Sequence, residues 1–295
     1  MTLDRPSLAR RLSGALHYRR GAKLGLLLGP PMAWMVVVYL GALLLLFLSA
    51  FWRQDPLTAL VVRDWSLENF ETLIEESVYR TVALRTLGIA FAVTLTDIVL
   101  AFPIAYFAAR MASPRMRTVM LLLVVLPLWS SYLVRVYAWR VILAGGGFLD
   151  WSLEALGLGS LELGYSNWAI WLTFCYLWLP FVVLPIYAAL ERIPDSYLEA
   201  SSDLGGKWIT TLRRVILPIA LPGIVAGSIF SFSLTLGDYI APTLVGNTQF
   251  IGNVVYQNVG VANNIPFAAA YALVPVLIMA VYLAIARKMK AFEAL

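Results

Sequence analysis

Four ionisable side chains stand inside runs that are otherwise apolar: Asp97, Arg135, Arg140 and Asp238. Charge in a hydrocarbon setting is costly, and it marks an ion or proton relay, a counter-charge for a solute, or a partner in a packed interface. Two membrane aspartates, Asp97 and Asp238, are also what an intramembrane aspartyl protease requires. The local sequence argues against that chemistry, because Thr235 stands where a Gly-x-Gly-Asp pattern needs glycine and Asp97 follows Thr96 rather than tyrosine. A serine hydrolase finds no Gly-x-Ser-x-Gly elbow, and its only possible base is His17 in the basic N-terminal segment. One histidine and one cysteine, Cys175, cannot build a His/Cys zinc site. Nucleotide hydrolysis needs G-x-x-x-x-G-K-[ST], but the one Gly-Lys pair, Gly206-Lys207, is followed by Trp208. The expectation is a chain that is not an enzyme.

The membrane charges other than Arg140 keep two readings each. Asp97 either faces a solute pathway and attracts a cation, or serves as a structural acceptor for Thr94, Thr96 or Arg135. Arg135, deeper than Arg140, either gates the path or pairs with Asp97, whereas Arg140 is expected to snorkel to the headgroups. Asp238, beside Tyr239, is either an entrance site or a helix-end residue. Trp129, Tyr132, Tyr137, Trp139, Trp171, Tyr176 and Trp178 either hold an organic cation through their ring faces or form an interfacial belt; Tyr137 and Trp178 are the pathway candidates among them.

These residues need membrane-spanning elements to position them, and the composition supplies them. The 295 residues are 61% hydrophobic and 13% charged, with mean hydropathy +0.80, against about 25% charged in soluble chains. A soluble or disordered protein is excluded. Six spans are expected, at residues 24–51, 86–109, 118–143, 168–190, 215–236 and 267–286, the last set off by the turn Asn263-Asn264-Ile265-Pro266. The first is too long and uncharged for a signal peptide. Sixteen of the 22 Lys and Arg residues fall in the N-terminal segment, the loops after the second and fourth spans, and the C-terminal tail. That places both termini in the cytoplasm and reads the net charge of +5 as a topology signal rather than a nucleic-acid surface. The outer loops are acidic, with Asp55, Asp64, Glu68, Glu71, Glu75, Glu76, Asp150, Glu154 and Glu162. Phe70, Leu73 and Ile74 share one face of a short helix there, which either rests on the membrane or other spans or is a solvated linker. Pro103, Pro127, Pro180, Pro185, Pro222 and Pro275 fall inside spans and are expected to kink them.

The loop between the fourth and fifth spans, 191–214, has an internal logic of its own. Ser196 and Glu199 fit a capping box that starts a short helix, and Gly205 supplies the left-handed turn that ends it. Tyr197, Leu198 and Leu204 are apolar where water is expected, so either a partner covers them or the helix lies on the inner leaflet. Glu199-Ala200-Ser201, then Gly205, then Val215-Ile216-Leu217-Pro218 resembles the EAA loop of binding-protein-dependent ABC importer permeases, departing from it at Ser201 for Ala and Val215 for Ile. From about Trp65 onward the chain is similar to the spermidine/putrescine-type subgroup. Ser66-Leu67-Glu68-Asn69-Phe70, Phe102-Pro103-Ile104-Ala105-Tyr106 and the run from Leu126 to Trp139 carry that likeness, which is to the first permease of a pair.

The resemblance implies an all-α, polytopic fold of six transmembrane helices, the type I ABC importer (MetI-like) permease, over residues 24–295 behind a basic segment 1–23. It implies a coupling helix, formed by Tyr197, Leu198, Glu199, Ala200, Ser201, Leu204 and Gly205, that docks on an ATPase. The implied partners are a second homologous permease, two ATPase subunits, an extracytoplasmic solute-binding protein and membrane lipid, without nucleic acid. ATP and Mg would sit on the ATPase, with no cofactor in this chain. The pathway candidates are Asp97, Arg135, Tyr137, Trp178, Asp238 and Tyr239, the solute a polyamine or another small organic molecule, and the site the bacterial inner membrane. An ATP-independent secondary transporter is the alternative.

Overall fold

The computed structural model describes residues 20–288. His17, Arg5, Arg10, Arg11, Arg19 and Lys290 lie outside the described residues. Among the described residues the regular structure is helical apart from a small antiparallel hairpin, β1 (Arg53–Gln54) with β2 (Val61–Val62). Five helical runs among them are long and apolar enough to cross a membrane: Leu24–Ser49, Ser77–Arg110, Asn167–Glu191, Trp208–Gly237 and Ile265–Lys288.

The first run is α1 (Arg20–Trp34), a wider π turn over Met35–Leu40, and α2 (Gly41–Ser49). From Leu24 onward it is exposed along almost its whole length and is buried only at Ser49 and Ala50, where Ala50 meets Ala269 and Ala270. There it receives α3 (Glu68–Glu75). Asn69 donates to the carbonyls of Ala50 and Trp52 at 2.9 and 2.7 Å, and Phe70 and Leu73 pack on the alanines. This short helix therefore rests on other spans and is not a solvated linker, although Ile74, expected on the same face, is 67% exposed.

The third expected span is not one helix. α4 (Ser77–Arg110) leads through a turn to α5 (Pro114–Val125), which tightens to a 3-10 turn at Leu126–Trp129 before α6 (Tyr132–Leu143) departs at 97°. Pro127 removes a backbone donor, and the two serines that follow have extended backbones, with Ser130 Oγ donating to the Pro127 carbonyl at 2.7 Å. Proline alone predicts a kink; proline followed by a serine that turns its hydroxyl on the backbone ends the helix. After the turn, α6 runs at a large angle to α5, so residue number alone does not order the depths of Arg135 and Arg140.

The centre of the fold is α4 packed with α8 (Asn167–Glu191) and α11 (Leu217–Gly237), separated in sequence by α7 (Phe148–Ala155), α9 (Asp195–Asp203) and α10 (Trp208–Thr211). Small residues let these helices approach. A Cβ on Gly223 would lie 2.5 Å from the Pro185 carbonyl oxygen, and one on Gly227 would lie 2.9 Å from Val182 Cα. Glycines four apart on one helix face suit close helix packing in lipid, where there is no hydrophobic drive to association. Pro218 at the start of α11 would clash with the carbonyl of Arg214 in a regular helix; the π turn Leu212–Ile216 opens the backbone at that point. The apolar run after Asp238 holds two further helices, α12 (Ile240–Val245) and α13 (Ile251–Gly260), before α14 (Ile265–Lys288). The expected turn is where the sequence puts it: Asn263 has φ +50°, and Asn264 Oδ1 accepts the Phe267 N–H at 3.1 Å.

Candidate functional site: a loop helix and an aromatic cluster

The loop helix α9 forms as expected, but its start is different. Pro194, not Ser196, stands at the N-cap, and neither Ser196 nor Glu199 makes a cap hydrogen bond. The proline fixes the entry dihedral one turn position early, which puts Ser196 inside the helix; Asp195 supplies the negative charge that favours a helix N-terminus. The C-terminal end agrees with the sequence. Gly205, at φ +75°, donates to Ser202 O at 2.9 Å and Gly206 donates to Ser201 O at 2.8 Å, the paired bonds of a Schellman turn.

Tyr197, Ala200, Ser201 and Leu204 recur at three- and four-residue steps, one face of a helix. They line a groove of about 560 Å³ together with Gly206, Thr210 and Arg214. Leu204 is 89% exposed and Tyr197 53%. Leu198 is turned away and packs on the buried cluster that contains Ile193 and Ile216, so it is not part of the exposed face. Ser201 shares a hydrogen bond with Thr211 at 2.8 Å, which ties the helix to the next element. Glu199 is exposed.

The membrane candidates separate into two places. Asp97 is fully buried among α4, α8 and α11. Its Oδ2 accepts from Ser231 Oγ at 2.6 Å, while Oδ1 has no partner among the described residues. Thr94 and Thr96 instead donate to the carbonyls of Ala90 and Ala92 on their own helix, and Arg135 makes no ion pair with Asp97. None of the three expected partners is the actual one.

The other place gathers around Tyr132. Its hydroxyl donates to Asp238 Oδ2, and Asp238 Oδ1 accepts the Ala241 N–H at 2.9 Å. The Trp178 ring stacks on Tyr132 with centroids 6.0 Å apart, and the Arg135 guanidinium lies 5.9 Å from the Tyr132 centroid. Buried without a partner among the described residues are Arg135 Nε and Nη1 and Trp178 Nε1. The cluster thus sets a carboxylate, each oxygen of which accepts one hydrogen bond, beside donors that lack an acceptor. Tyr137 is exposed and outside it; Tyr239 stacks on Tyr256 at 4.5 Å instead. Arg140 donates to Tyr165 Oη at 2.7 Å, a partner the snorkelling reading did not foresee. Among the acidic outer residues, Asp55 holds a turn: the N–H groups of Leu57 and Thr58 at 2.8 and 3.2 Å keep its carboxyl below the usual carboxylate range.

Sequence reasoning gave Tyr132 no more weight than its aromatic neighbours and passed over Ser231, Gly223 and Gly227. The glycine spacing was the one readable signal among these.

Residues 81–291 match the family described as "Binding-protein-dependent transport system inner membrane component". The chain is 44% identical to the "Inner membrane ABC transporter permease protein YdcU" of Escherichia coli (strain K12), over 99% of this chain and 97% of that one. It is 30% identical to the "Spermidine/putrescine transport system permease protein PotB" of the same organism, over 85% of this chain and 91% of that one. A chain of the bacterial alginate ABC transporter, solved in complex with its alginate pentasaccharide-bound periplasmic protein, superposes with TM-score 0.77 at 16% identity, covering 96% of this chain and 98% of that one. At that identity the likeness is one of fold.

Proposed function

The chain belongs to the family of binding-protein-dependent transport system inner membrane components, as a permease subunit of an ATP-binding cassette importer, and from that premise we propose that the solute it passes inward is a small organic cation of polyamine type. The observation that carries the proposal is the likeness to the spermidine/putrescine permease over 85% of the chain. The geometry supports it with a carboxylate, Asp238, set against the stacked rings of Tyr132 and Trp178. Carboxylate and aromatic faces are the surfaces that favour an organic cation in a low-dielectric site. The acidic outer loops add attraction, screened over roughly 8–10 Å.

As a multi-pass inner-membrane protein that is not itself an enzyme, the chain works with an ATPase and a solute-binding protein. The finer arrangement is part of the proposal. A second homologous permease closes the cavity, and two ATPase subunits bind ATP and Mg below α9. The termini and α9 face the cytoplasm, as the basic residues indicate. Tyr197, Ala200 and Leu204 meet the ATPase, with Glu199 beside them and the Gly205 turn fixing their presentation.

Isolation of the partner binding protein and mass spectrometry of what it carries tests the solute class. A polyamine is expected. An anionic or neutral ligand would remove the polyamine assignment and leave the permease assignment standing.

A further inference from the structure

Two arginines that a topology count treats like any other basic residue join the cytoplasmic ends of four helices. Arg110, the last residue of α4, has a side chain only 12% exposed. Its Nη1 donates to Asp195 Oδ1 at 2.8 Å, and Asp195 is the first residue of α9. Its Nη2 donates to Leu190 O at 2.7 Å and to Ile193 O. The last carbonyls of a helix have no partner within it, so one guanidinium closes the end of α8, holds the linker and grips the start of α9. Arg117, in the first turn of α5, does the same a step further back. It donates to Ala108 O and Ala109 O at the end of α4, at 3.2 and 3.4 Å, and to Glu191 Oε1 at 3.1 Å. Glu191 also accepts from Tyr187 Oη at 2.7 Å.

We propose that Arg110 is a positioning residue for energy coupling: it fastens α9 and the end of α8 to α4, so that a displacement of α9 by the ATPase moves these helices together. Without it, residues 192–194 are the slack through which that displacement is lost. The planar fork of arginine is what allows one side chain to serve a carboxylate and two carbonyls; lysine offers a single point of charge. The inference rests on the docking role of α9 proposed above, and goes beyond it by naming the connection from that helix into the spans. α4 also carries Asp97 and α8 carries Trp178, so the same connection reaches both membrane sites.

The test uses the complete complex, reconstituted in proteoliposomes with its ATPase and loaded binding protein, and reads solute moved per ATP hydrolysed. Arg110→Gln is expected to keep the ATPase bound and hydrolysing while this ratio falls about fivefold, within the range by which residues along a coupling network act. Arg110→Lys should recover part of it, which a purely structural defect would not distinguish so finely. If Arg110→Gln does not assemble, Asp195→Ala takes its place, since it removes only the exposed end of the clamp; a fall of about twofold is expected. A parental ratio in whichever of these two variants assembles overturns the proposal. Gly205→Val, measured alongside, separates the two readings: loss of the ATPase in that variant upholds docking independently of Arg110, and full ATPase retention with parental transport overturns docking and the clamp together.

Discussion

Asp97 and Asp238 are both carboxylates at apolar spans, and their surroundings give them different work. Asp97 is enclosed by three helices and satisfied on one oxygen by Ser231, 134 residues away. Asp238 joins the cluster of Tyr132 and Trp178, the aromatic pair that solute meets in the proposed function. Asp238→Asn should therefore lower uptake at limiting solute about tenfold, as loss of one hydrogen bond to a charged group implies. Asp97→Asn still accepts from Ser231 and should stay within about twofold of parental uptake. Initial rates in membrane vesicles decide it, and a larger loss from Asp97→Asn would return the pathway role to that residue. The sequence showed both charges because a charge in an apolar run is visible anywhere. It could not show enclosure, which is set by α8 and α11, nor that Tyr132 reaches Asp238 with its hydroxyl and Trp178 with its ring across distant segments.

The elements were more legible than their joints. The spans at 168–190 and 267–286 appear as Asn167–Glu191 and Ile265–Lys288, because an uninterrupted apolar run needs no partner to declare itself. The break at Ser130 and the Pro194 cap were misread, since each depends on competition between a side chain and the backbone over two or three residues. Glycine spacing on α11 gives a prediction at this scale. Gly223→Leu drives a side chain into the Pro185 carbonyl 2.5 Å from its Cβ position, and overpacking of this kind costs roughly 1–3 kcal/mol. Gly88→Ala meets no atom within 4 Å in this chain and exchanges glycine for a better helix former. Unfolding midpoints of the purified protein in detergent should fall for Gly223→Leu and hold or rise for Gly88→Ala; equal midpoints would mean that close approach of α8 and α11 does not hold the core together.

At the scale of the whole molecule, the exposed first run, the open groove at α9 and the acidic loops belong to a chain that works with an ATPase and a solute-binding protein. Composition and the spacing from Glu199 to Pro218 made this class of molecule readable, because both are linear in sequence. How α4, α5, α8 and α9 are tied at one end of the bundle was not, because Arg110 and Arg117 act on carbonyls that every residue possesses. If the chain is the permease of an ATP-driven polyamine importer, transport must need energy on the face that carries α9 and solute on the other. Uptake of radiolabelled putrescine or spermidine into proteoliposomes holding the full complex tests this, with loaded binding protein outside and ATP inside. Accumulation should occur with both present and stop when either ATP or the binding protein is withheld. Accumulation that persists without ATP, or that requires ATP on the same side as the binding protein, would contradict it.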